Sequence, residues 1–149
     1  MVTTVGNESS FDDLVKNLIL LEYDAIAAYE STIEHLSDDA LSSQVETFRH
    51  DHLQHLDVLK NMARADAFAA PTEGDMKQML TTGKIAMADL AGDGAILKAM
   101  KTNEDDTVTA YERALNRPDA RPESRAFFEK ALADERRHRA WMQDVAETL

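Results

Sequence analysis

The chain has 149 residues, enough for one domain that buries about two-thirds of its unfolded surface without a staple. Its 28 acidic and 16 basic residues give a formal charge of -12, which argues against general binding to phosphate backbones. Cysteine is absent, which excludes disulfides, thiolate metal ligands and cysteine nucleophiles, and leaves any metal to histidine nitrogen and carboxylate oxygen.

The opening "MVTTVGNESS" has neither the basic start nor the apolar stretch of a secretion signal, and no later run is apolar enough to cross a bilayer. A soluble, cytoplasmic protein with no nucleic-acid and no membrane partner is the expectation. Apolar residues recur at helical spacing through Leu14, Leu18, Leu21, Ala25, Tyr29 and Ile33, which predicts a first helix over about 10–36 with Ser9 or Ser10 as its cap. A second, over about 38–65 with Ser37 as cap, carries Leu41, Val45, Phe48, His52, His55 and Leu59 on one face. Pro71 and Gly74 interrupt the pattern, and a shorter crossover helix is expected over about 74–90. Met76, Met79, Met87 and Met100 cluster around it and read as flexible core filling. The third long helix, about 94–117, runs through Leu97, Met100, Glu104, Val108, Tyr111 and Leu115; after the turn "NRPDARP" the fourth, about 122–147, carries Phe128, Leu132, Glu135, His138 and Met142. The expectation is a single all-α domain, an antiparallel four-helix bundle with a crossover, and no strands.

The charges hide a repeat. "EYDAIAAYE" at 22–30 aligns with "EDDTVTAYE" at 104–112, an offset of 82 that pairs Glu22 with Glu104 and Tyr29 with Tyr111. At an offset of 83, Asp51 meets Asp134, His52 meets Glu135, and His55 meets His138. Two helical hairpins of similar design follow, related by an approximate two-fold axis. Glu22 stands between Leu18 and Ile26, and Glu104 between Met100 and Val108, so both carboxylates face inward. Two facing buried acids repel unless a proton or a cation lies between them. Glu22, His52, His55, Glu104, Glu135 and His138 together form a set suited to two metal ions.

The set resembles the ferritin-like di-iron carboxylate proteins, in which two helices each give one inward Glu and two give a Glu-x-x-His pair. "LEYDAIAAYESTIEHL" and "FRHDHLQHLDVL" look like a small rubrerythrin-like, uncharacterised bacterial branch of that group. By this resemblance Glu22 and Glu104 take the single-Glu roles, and Glu135 with His138 is an intact pair. His52 departs from the pattern by standing where a Glu is expected, with Asp51 and Glu46 as the nearest acidic substitutes. The loss of a carboxylate lowers the negative charge and weakens a preference for ferric iron, so manganese and zinc stand beside iron. The resemblance implies iron handling or protection from oxidative stress, with two ferrous ions reacting with dioxygen or peroxide; a homodimer is the general expectation for a soluble bundle.

Each pair has a plainer reading alone. Glu135 and His138 sit among Arg136, Arg137 and Arg139, as on a solvated face, and His50 and Asp51 suit the wet side of their helix. Their joint placement on four helices favours the metal site. His35 stands where it caps helix-end carbonyls; Tyr29 and Tyr111 pack against the core, with hydrogen bonds to the ligands or electron transfer as the alternatives the resemblance implies; Trp141 is core or a subunit contact. No Gly-x-Ser-x-Gly elbow or phosphate loop is present. The contrasting expectation is a metal-free helical bundle that serves self-association or partner binding.

Overall fold

The computed structural model describes residues 3–79 and 90–149. Five helices make up the described residues: α1 (Phe11–His35), α2 (Asp39–Ala65), α3 (Glu73–Met79), α4 (Gly92–Leu115) and α5 (Pro122–Thr148), with no strand. The expected all-α bundle is what forms. Of the expected crossover helix, α3 is its described part; the remainder to residue 89, including Met87, lies outside the described residues. Met76 and Met100 are buried, in keeping with core filling.

Helix ends follow local chemistry. The Ser10 hydroxyl accepts from the Asp13 N–H at 3.1 Å and starts α1, and Pro122 opens α5, where its missing N–H costs nothing. The cap of α2 is Asp38, not Ser37. Its carboxylate accepts from the N–H groups of Ala40 and Leu41, while Ser37 turns outward to Asp93. An ionised carboxylate is the stronger acceptor for the positive end of a helix, which accounts for the difference. Asp93, in the first turn of α4, accepts from the backbone N–H groups of Ser37 and Asp38 and so ties the α1–α2 turn to α4. His35 Nδ1 bonds the Ser31 carbonyl at 2.8 Å, the helix-end role expected of it.

At the far end of α2 the Phe68 N–H returns to the Ala63 carbonyl and the Ala67 N–H to Arg64, with Ala67 in the left-handed region at φ 58°. Glycine usually fills that position because a Cβ is strained there. Ala67→Gly is therefore expected to raise stability by about 0.5–1 kcal/mol, read as a higher urea midpoint at unchanged slope.

The short turn between α1 and α2 makes them antiparallel neighbours, and α4 and α5 pair likewise. The hairpins meet through α1 against α4 and α2 against α5, again antiparallel, as shown by the contacts of Glu22 with Tyr111 and of Asp51 with His138. Hence α2 and α4 run parallel, and the end of α2 and the start of α4 lie at opposite ends of the bundle, roughly 40 Å apart for a helix of 27 residues. The N-terminal strap is pinned along α4, where Arg113 donates to the carbonyls of Thr3 and Val5. Gly6 lies beneath that side chain at φ 106°, where a Cβ would stand 2.3 Å from the Arg113 Cβ.

The core is two apolar layers. One is built on Leu14, Leu18, Leu59, Val108 and Phe128, the other on Val45, Phe48, Leu97, Met100 and Met142. A polar layer lies at the midpoints of the four long helices between them. No helix among the described residues is long and apolar enough to cross a membrane.

Candidate metal centre

Glu22, His52, His55, Glu104, Glu135 and His138 are all 0–1% exposed and meet in this middle layer. Helical spacing places them there. Glu22 and Glu104 interrupt the apolar stripes of α1 and α4, and the i, i+3 pairs on α2 and α5 keep both members on one face. Two overlapping groups have ligand atoms close enough to hold an ion: Glu22, His52, His55 and Glu135; and His52, Glu104, Glu135 and His138.

The histidines on the rim are oriented from outside. His55 donates from Nε2 to Asp134 at 2.8 Å, and His138 from Nε2 to Asp51 at 2.8 Å. Their Nδ1 atoms face the centre: His55 Nδ1 is 3.3 Å from oxygens of Glu22 and Glu135, and His138 Nδ1 is 3.8 Å from Glu135. Arg137 reaches both aspartates at 3.0 Å and sits half-exposed above the layer. Asp51 lies outside both ligand groups, bonded to the outer nitrogen of His138, and Glu46 stays at the surface with Arg49 and His50. Asp51 is partly exposed, on the outer side of the layer, and its partners Arg137 and His138 stand on another helix. The signal for its role was its alignment with Asp134. Both aspartates are held below the usual carboxylate range: burial pushes them up, but bonds to His138 and Arg137 at Asp51, and to His55, Lys130 and Arg137 at Asp134, prevail.

The tyrosines cross between hairpins. Tyr29 on α1 donates to Glu104 on α4, and Tyr111 on α4 donates to Glu22 on α1 at 2.6 Å. They are fully buried, as core packing required, but their hydroxyls orient the acids. Thr107 was missed from the sequence, because its counterpart in the repeat is Ala25. Its hydroxyl lies 2.7 Å from Glu104 and 2.8 Å from Glu135 and joins the two carboxylates. Trp141 is half-buried with its ring edge-on to Phe48.

Desolvation raises Glu104, and the neighbouring Glu135 charge adds to it, so that its pKa stands at about 7. Burial also pushes Glu135 and Glu22 up, but the adjacent histidines outweigh it and hold both below the ordinary value. The histidines answer in kind. Burial lowers His55, yet Glu22, Asp134 and Glu135 bring it to about 11, and Glu135 with Glu22 keeps His52 well above its ordinary value. Without metal, protons on histidine neutralise the layer.

Two atoms of the layer are left over. His52 Nε2 and Glu135 Oε1 are buried with no hydrogen-bond partner. Both residues belong to both ligand groups, and a buried imidazole nitrogen and a buried carboxylate oxygen without hydrogen-bond partners are the donor chemistry that borderline divalent cations take once the ring proton is displaced. The residues fit a metal.

Fold and site together define an all-α bundle with a buried His/Glu cluster suited to metal. Residues 12–117 match the family described as a domain of unknown function, DUF2383, and the chain belongs to that family. The match takes in Glu22, His52, His55 and Glu104; Glu135 and His138 on α5 lie beyond it. Among solved structures, a conserved hypothetical protein, rv2844, from Mycobacterium tuberculosis is similar with a TM-score of 0.75 at 18% identity, covering 93% of this chain and 98% of that one. This likeness is one of fold. No curated protein matches.

Proposed function

We propose that the chain is a single ferritin-like, rubrerythrin-like domain over 1–149 whose middle layer binds two metal ions, iron foremost and manganese or zinc in its place, for iron handling or protection from oxidative stress. The observation that carries this reading is the pair of orphaned donors, His52 Nε2 and Glu135 Oε1, inside a closed ring of six buried ligand-type side chains.

In this reading Glu22, His52, His55 and Glu135 hold one ion, and Glu104, His138, Glu135 and His52 the other. A bound pair of redox-active ions supplies electrons for the reduction of dioxygen or peroxide. Tyr29 and Tyr111 keep the two terminal acids aimed inward, and the apolar layers above and below exclude bulk water. Asp51 and Asp134 keep the outer ring protons on Nε2 of His138 and His55, which leaves each Nδ1 free to face a cation. Asp51→Ala or Asp134→Ala should therefore weaken metal affinity about 10–100-fold without removing a ligand, measured by competition against a chelator.

The test is anaerobic titration of the apo-protein with ferrous iron, followed by air. Two irons per chain and an oxygen-dependent absorption change are expected, and both should vanish in a Glu22→Ala/Glu104→Ala variant that keeps its helical circular dichroism. Uptake below one equivalent, the same in the variant, would sink the proposal.

A further inference from the structure

We propose that His52 bridges the two ions, offering Nδ1 to one and Nε2 to the other, so that the pair is joined through an imidazole ring. The inference rests on the reading of the layer as a two-metal site.

Every other histidine of the layer has one nitrogen committed elsewhere. His55 and His138 spend Nε2 on Asp134 and Asp51. His52 has no such outer partner: its Nδ1 lies 2.7 Å from Glu22 and 3.5 Å from Glu135, and its Nε2 lies 3.5 Å from Glu104. Both edges of the ring thus face ligand oxygens, Glu22 on one side and Glu104 on the other. Tyr29 packs edge-on against the ring at 4.6 Å and fixes its plane.

His52 and Glu135 are the two residues shared by both ligand groups, and they occupy matching positions in the internal repeat. Glu135 is divided in the same sense. Its Oε1 is 3.3 Å from His55 Nδ1, and its Oε2 is 3.8 Å from His138 Nδ1. A ring and a carboxylate, each with one end toward each position, make a matched pair of bridges.

Charge points the same way. Glu22, Glu104 and Glu135 supply three negative charges, one fewer than two divalent ions need in a dry layer. A histidine that binds through both nitrogens must release every ring proton to solvent as the two ions enter, and the resulting imidazolate anion is the fourth charge. The substitution of His for the Glu of the resemblance then preserves neutrality instead of reducing it.

Crystals of the full chain grown with zinc chloride, with anomalous data at the zinc edge, test this. Two peaks about 6 Å apart on opposite sides of the His52 ring are expected, from a Zn–N bond of about 2.0–2.1 Å at each nitrogen. Two peaks separated by about 3.5–4 Å, with His52 on one ion only, would overturn the bridge and leave the two-metal reading standing. One peak or none would overturn both.

Discussion

Replacing His52 with leucine in the metal-free protein is expected to cost about 3–5 kcal/mol, because Glu22 and Glu135 would be left ionised in a layer closed to bulk solvent. In a chain of this size that corresponds to a fall in Tm of roughly 10 °C. The companion variant His52→Leu/Glu135→Leu removes a charge of each sign and should regain most of the loss, since apolar groups of similar volume replace a buried pair with little harm. Urea unfolding in EDTA decides it. A single-variant cost below about 1 kcal/mol would mean that the layer is not dry. The inward acids and histidines are, on this account, retained against stability.

The second large effect is an inversion of pH dependence by metal. Glu104 has its pKa raised to about 7 in the fold from an ordinary 4.5, so the native state holds its proton more tightly than the unfolded chain. The stability it contributes is present below 4.5 and is lost as pH rises toward 7. His55, raised from 6.5 to about 11, likewise contributes fully below 6.5 and progressively less above it. The apo-protein should therefore lose stability steadily from pH 6.5 to 9. Cations displace those protons, so metal affinity rises across the same range and the loaded protein should gain where the apo-protein loses. Glu104→Gln isolates the acid: its amide keeps an acceptor for Tyr29 and donates toward Glu135, so apo stability should rise at pH 8 while metal binding falls at least tenfold. Thermal melts with and without zinc across pH measure both signs. Parallel profiles for the two forms would refute the exchange of protons for metal.

The bundle and the placement of the six site residues were legible because they depend on periodicity, which is local, and on a repeat, which compares the chain with itself. The 82-residue offset pairs Glu22 with Glu104 before any contact is known. What escaped depends on which helix faces which. Asp51 stands four residues before His55, yet it bonds His138 across the bundle, and no spacing within α2 reveals that. Thr107 was illegible for the opposite reason: its role lies where the two-fold pattern is broken, opposite Ala25. The cap of α2 turned on a single position, because Ser37 and Asp38 are both competent and Asp93 claimed the serine.

The crossed tyrosines have a consequence for assembly of the bundle. Apolar stripes tolerate sliding of one helical hairpin along the other by a turn, about 5.4 Å, since leucine meets leucine again. The bonds from Tyr29 to Glu104 and from Tyr111 to Glu22 do not. They run in opposite directions between the same two helices, so a slide either way breaks both and strands two hydroxyls and two acids in a dry interior. The pair works as an indexing pin: it selects one axial setting of the hairpins from several that hydrophobicity alone would accept.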